Sequence, residues 1–250
     1  MSEELKFARK TLALVVPCYN EANRLNAAAF LKAVEDYPWL SVCFVDDGST
    51  DATAETLARL SAFSPALHAL YLERNVGKAE AVRRGMLHLL ENSHAELVGF
   101  WDADLATPLA ELPAFMRHFD EDPSVQAVIG SRWPHLGARI SRSLFRGITG
   151  AAMKALIRLV LRAPVYDTQC GAKVFARGLA ARIFARPFLS KWLFDVELLR
   201  RIGAPRLNRV VREQALTAWF DVPGSRLSIL DSLRISGDLL RIAWSDATVV

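Results

Sequence analysis

The sequence predicts an α/β protein with a mostly parallel central sheet flanked by helices, and three observations predict it. Short apolar runs alternate with amphipathic stretches from Thr11 to Gly130, the runs are apolar almost throughout rather than at every second position, and a polar loop follows nearly every run. Continuously apolar strands belong to parallel sheets covered on both faces, and parallel neighbours need crossover connections, usually helices.

Taken in order, "TLALVVP", "SVCFVDD", "LHALYLE", "ELVGFWDAD" and "VQAVIGS" read as five strands. Helical periodicity fills the intervals at Asn23 to Asp36, Asp51 to Ser61, Gly77 to Glu91 and Leu109 to Phe119. Beyond residue 131 the pattern predicts a long helix over Ile140 to Arg162, a loop "YDTQCGAK", a helix over Phe194 to Ile202, an extended run "NRVVREQALTAWF" and a final amphipathic helix over Ser228 to Trp244. With no repeat, linker or low-complexity tract, the 250 residues read as one domain: a ligand-binding half over about 10–130 and a second half over about 131–250 that completes it.

Composition narrows the class. At 52% hydrophobic and 23% charged residues the chain lies far from the signature of disorder. The longest uncharged stretch, Leu60 to Leu72, is too short to span a bilayer, and the charged N-terminus lacks the apolar core of a signal peptide, so a cytoplasmic protein is expected. Cys18, Cys43 and Cys170 match no zinc or redox spacing and read as reduced thiols. The segment from Arg139 to Arg162 carries basic residues and no acid, which points to an anionic partner. Its Lys154, Arg158 and Arg162 form a stripe suited either to a membrane interface or to packing on the domain itself. Nothing points to a nucleic-acid partner.

In parallel sheets ligands bind beyond the carboxyl ends of the strands, so the loops there carry the candidate chemistry. "DDGSTD" sets Asp46 and Asp47 side by side ahead of a glycine turn; adjacent carboxylates repel unless one of them accepts hydrogen bonds, for example from a nucleobase or ribose. "RNVGKAEAVRRG" puts Arg74 and Lys78 at a helix start, where amides and cations receive phosphate. "DADL" leaves a strand with Asp102 and Asp104 at i and i+2, a pair able to hold a hard divalent cation that also bridges diphosphate oxygens. In "FDVE", Asp195 and Glu197 do not share a helical face, so one is expected in the site, as a base or an acceptor-positioning group, while the other caps or pairs. The glycine spacings of dinucleotide folds and phosphate loops are absent, as is a nucleophile elbow.

In this order, "VVPCYNE", "DDGSTD", "RNVGKAEAVRRG", "DADL", "GSR", "DTQCGAKVF" and "WLFDVELL" resemble the family 2 glycosyltransferases of Rossmann-like GT-A fold. The likeness covers about residues 10–245 and is greatest to the polyprenyl-phosphate sugar synthases, in particular the dolichyl-phosphate β-glucosyltransferase branch. It implies a nucleotide-sugar donor, UDP-glucose favoured, held by Pro17, Tyr19, Glu21, Asp46, Asp47, Lys78 and Asp102. It implies Mg²⁺ or Mn²⁺ at Asp102 and Asp104, with Asp104 the favoured direct ligand, and a polyprenyl phosphate acceptor received by Arg132 and Arg142. Asp167, Asp195 and Glu197 match acidic positions near the reacting centre, and a peripheral place on the cytoplasmic membrane face follows from the lipid. A transferase of the same family acting on a sugar hydroxyl or small metabolite, or using GDP-mannose, remains open.

Overall fold

The computed structural model of the protein describes residues 10–133, 135–140, 156–220 and 229–245, the side chains of the last stretch from residue 237 onward. Its centre is a seven-stranded sheet of order β3-β2-β1-β4-β7-β5-β8. These strands are β1 (Leu12–Cys18), β2 (Leu40–Asp46), β3 (Leu67–Tyr71), β4 (Leu97–Trp101), β5 (Ala127–Ser131), β7 (Ala172–Ala176) and β8 (Val211–Ala215). All neighbours pair in parallel except β7, which runs antiparallel between β4 and β5.

Alternation of side chains along each strand divides the apolar residues between two layers. Leu12, Leu14 and Val16 face one layer, built with α1 (Ala27–Asp36), α2 (Thr53–Phe63) and α4 (Leu112–Glu121). Ala13 and Val15 face the other, built with α3 (Lys78–Asn92), α5 (156–161), α6 (Arg177–Ile183), α7 (Phe194–Ile202), α8 (Ala204–Val210) and α9 (Ile229–Trp244). Both faces being covered is why the strand runs are apolar throughout.

The first five strands stand where the sequence predicts them, and the differences have local causes. The first helix starts at Ala27 because Asn26 caps it, its side chain accepting from Ala29 N at 3.1 Å. The second starts at Thr53, whose N–H is taken by the Asp51 carboxylate at 3.0 Å. The fourth opens as a 3₁₀ turn, Leu109–Glu111, before α4 begins at Leu112. Ile140 is not helical: β6 (Arg139–Ile140) pairs in parallel with β9 (Ala218–Trp219), while 141–155 lie outside the described residues. The last two residues of the expected loop, Ala172 and Lys173, open strand β7, and the start of the expected extended run closes α8 at Val210.

The expected basic stripe is turned partly inward, for Arg158 Nε donates to Val165 O at 3.1 Å and the guanidinium lies 5.8 Å from the Tyr166 ring centre. Lys154 lies outside the described residues. On α9, Leu239 and Ile242 are buried and Leu240 is exposed. Among the described residues no helix is long and apolar enough to cross a membrane.

Candidate active site

The loops after β1, β2, β3 and β4 meet at one edge of the sheet and enclose a cleft of about 260 Å³ lined by Pro17, Tyr19, Glu21, Asp47, Lys78, Asp102 and Asp104, with Cys18, Asn75, Gly77, Ala81 and Ala103 between them. Because β7 runs the other way, its entrance rather than its exit lies at this edge, which brings the loop from Asp167 to Gly171 beside the end of β4. Asp102 N donates to Gly171 O at 3.0 Å.

Asp102 and Asp104 leave β4 in a tight turn in which Leu105 adopts φ 50°, a left-handed value uncommon for a bulky side chain. Such backbone strain concentrates at functional sites. Lys78 Nζ pairs with Asp102 Oδ1 at 2.5 Å. Asp104 Oδ1 accepts from Ala106 N at 3.0 Å. Burial, with Asp102 nearby, raises the pKa of Asp104. Burial works against the Lys78 ammonium, but Asp102, Asp195 and Asp104 together outweigh it and raise its pKa.

The two acids of "DDGS" need no ligand to keep them apart. Asp47 accepts from Val76 N at 2.7 Å and Gly77 N at 2.9 Å, and Asp46 Oδ1 accepts from Ser49 N at 3.1 Å. The protein's own amides satisfy the pair, so their repulsion is no sign of a ribose. Asp47 still lines the cleft, its pKa raised by burial against those two bonds, and it pins the loop entering α3. Gly48, at φ 65°, lets the Arg74 backbone pass where a β-carbon would sit within 2.7 Å of it. Glu21 Oε1 pairs with Arg24 at 2.6 Å, while Oε2 is buried with no partner and burial raises the carboxyl's pKa.

Beside the cleft stand two buried ion pairs. Lys173, wholly buried in β7, donates to Asp195 Oδ1 and to Cys170 O, each at 2.6 Å. Burial raises the pKa of Asp195 against Lys173 and Lys78. Asp167 grips Arg132 through Nε at 2.6 Å and Nη2 at 2.7 Å, and also accepts from Arg132 N and Gln169 N. Burial opposes the Asp167 charge, but these donors lower its pKa nonetheless. Both Asp167 oxygens are occupied, and the carboxylate fixes the direction of the Arg132 guanidinium. Glu197 turns away from Asp195: it accepts from Arg201 Nη2 at 2.7 Å and Leu189 N at 2.8 Å, tying α7 to the preceding loop. Arg142 lies outside the described residues.

Sequence reasoning missed several supporting residues. Glu213 on β8 accepts from Tyr166 N and Asp167 N, both at 2.9 Å, and so fixes the backbone that carries Asp167. Glu111 accepts from Thr217 N at 2.9 Å and Ala218 N at 3.0 Å, holding β9, whose Trp219 ring lies 5.2 Å from the Arg132 guanidinium. Gly171 is required for space, since a β-carbon there would overlap the Asp102 carboxylate. Gly171→Ala is therefore expected to displace Asp102 and lower turnover by about 10²-fold, the usual cost of misplacing a reacting group by roughly 1 Å. Steady-state turnover checks this, and wild-type turnover in the variant would refute it.

The glycosyl transferase family 2 model matches residues 13–182. A dolichyl-phosphate β-glucosyltransferase of Trichomonas vaginalis is 31% identical over 244 residues, covering 93% of this chain and 72% of that protein. One of Dictyostelium discoideum is 32% identical over 248 residues, covering 93% and 74%. The crystal structure of glucosyl-3-phosphoglycerate synthase from Mycobacterium tuberculosis with Mn²⁺, UDP-glucose and phosphoglyceric acid aligns with TM-score 0.70 at 18% identity, over 96% of this chain and 83% of that one. Fold, cleft and relatives agree, and the chain belongs to glycosyltransferase family 2, with the GT-A fold.

Proposed function

We propose that the chain transfers glucose from UDP-glucose to dolichyl phosphate or another polyprenyl phosphate, in the presence of Mg²⁺ or Mn²⁺ and at a membrane surface. The observation that carries the reading is the meeting of Asp102, Asp104 and Lys78 on one cleft, in a chain whose relatives named dolichyl-phosphate β-glucosyltransferase match over 93% of its length.

The donor set fits a hard cation. It is oxygen only, the Asp102 carboxylate being held by Lys78 at 2.5 Å and the Asp104 carboxylate half-buried beside it. Among the described residues no third carboxylate, His or Cys joins them. That suits Mg²⁺ or Mn²⁺, which complete their shells with substrate phosphate and water. When bound, such an ion offsets charge on the departing diphosphate.

The remaining groups hold the reactants. Pro17, Tyr19 and Glu21 form the wall for the nucleoside, with Asp47 fixing the loop behind it, and Lys78 reaches the diphosphate. Arg132, its orientation set by Asp167, receives the acceptor phosphate as a planar fork. An acceptor phosphate oxygen attacks the anomeric carbon from the face opposite UDP; the carbon–oxygen bond to the β-phosphate breaks and its electron pair leaves with UDP. Configuration inverts to β. The acceptor is already ionised near neutral pH, so no base is needed. Asp195, paired with Lys173, acts on Lys78 and Asp102 through its charge.

The test is UDP release from UDP-glucose with Mg²⁺ or Mn²⁺, with and without a short-chain polyprenyl phosphate, followed by mass analysis of the lipid. Hexosyl-phospholipid formed in step with UDP is the expected result. UDP-glucose binding with the lipid untouched would overturn the acceptor; turnover with GDP-mannose alone would overturn the donor.

A further inference from the structure

The loop between α6 and α7 is pinned at several points. Leu189 N donates to Glu197, Ser190 Oγ accepts from Trp192 N at 3.2 Å and Leu193 N at 2.9 Å, and the same hydroxyl donates to Asp238 of α9 at 2.7 Å. A surface loop held from α7 and α9 at once has its backbone placed, and Leu189, Lys191 and Trp192 lie outward beside these bonds. Lys191 extends over the entrance of α3: its Cδ lies 3.8 Å from where a β-carbon of Gly77 would stand. Gly77 lines the cleft and precedes Lys78, the first residue of that 15-residue helix.

The cleft beside this spot carries Asp47, Asp102 and Asp104, so an anion arriving here needs cations beyond Lys78. The first-turn amides of α3 carry partial positive charge, and the Lys78 ammonium on the same turn is shared with Asp102 at 2.5 Å. The one acid of that turn, Glu80, is taken up by Arg83 at 2.7 Å and Arg84 at 3.0 Å. Val76 N and Gly77 N are already given to Asp47, so a phosphate arriving here needs side-chain donors.

We propose that Lys191 grips the terminal phosphate of the nucleoside diphosphate, across the mouth of the cleft from Lys78. The inference rests on the proposed nucleotide-sugar donor. It also explains the pinned loop: Glu197, Ser190 and Asp238 hold a cation where the leaving group gathers charge.

Calorimetric titration of the whole protein with UDP and with UMP, in Mg²⁺, separates the possibilities. In Lys191→Met, which keeps the aliphatic stem, UDP affinity is expected to fall about tenfold, the size of one charge-assisted contact, while UMP affinity stays within about twofold. Lys191→Arg should restore UDP binding. Unchanged UDP affinity in Lys191→Met, or UDP and UMP weakened together as a purely structural loop would have it, overturns the role of Lys191 and leaves the donor reading intact. Should the wild type take GDP instead, GDP and GMP carry the same comparison. A wild type that binds no nucleoside diphosphate removes the donor reading, and Lys191 with it.

Discussion

Replacing Lys173 by methionine is expected to destabilise the fold by about 3–5 kcal/mol at neutral pH, the usual cost of removing one partner of a buried ion pair. Lys173 is wholly buried in the centre of the sheet, and its ammonium is the donor to both Asp195 and the Cys170 carbonyl. Methionine preserves most of the stem, so what is lost is charge, hydrogen bonding and the ammonium's place 5.3 Å from the Phe100 ring centre rather than volume.

The deficit should depend on pH in a stated direction. Burial already raises the Asp195 pKa, and loss of Lys173 raises it further. A carboxyl whose folded pKa lies above its unfolded value supports the fold while protonated and loses that support as pH rises through the folded pKa. The variant is therefore worst above that pKa and recovers as pH falls. Adding Asp195→Asn removes the orphaned charge and should restore most of the loss. Urea denaturation of both single variants and the double, at neutral and mildly acidic pH, checks this; a loss below about 1 kcal/mol, or a double variant as poor as the sum of the singles, would rule out the pair as the cause.

Lys173 also marks where the sequence stops being legible. The strands that precede it, Leu12–Cys18 through Ala127–Ser131, are written in continuous apolar runs with polar loops behind them, and the sheet follows that text closely. Strand Ala172–Ala176 does not announce itself, because its second residue is a lysine whose partner lies 22 positions further on. Without it neither the antiparallel insertion nor the approach of Gly171 to Asp102 is readable.

The cleft itself was more legible than its supports. Pro17, Tyr19, Glu21, Asp47, Lys78, Asp102 and Asp104 do line one cavity, since each sits at a strand end or helix start that the pattern locates. Asp195 and Glu197, two positions apart on one helix, part as helical geometry requires: one pairs with Lys173 and the other with Arg201. Which acid takes which partner depends on long-range packing. The same holds for Glu111 and Glu213, whose acceptors' work is done on backbone amides 106 and 46 or 47 residues away.

The second large effect is expected at Asp104. Asp104→Asn retains an oxygen for Ala106 N and nearly the same shape, so the fold should be kept while one negative charge is removed from the cleft. Turnover is expected to fall about 10²–10³-fold, in line with losing one preorganised electrostatic contact to the leaving group. Nucleotide release over a series of Mg²⁺ or Mn²⁺ concentrations measures it. Because burial raises the Asp104 pKa, the wild-type carboxylate is protonated at a higher pH than an ordinary aspartate, and a ligating carboxylate must be deprotonated. The wild type should thus require more metal as pH falls towards that pKa, whereas Asp104→Asn should lack Asp104's contribution to this dependence. A variant that keeps a tenth or more of wild-type turnover, with an unaltered metal requirement, would show that Asp102 and the nucleotide alone hold the ion.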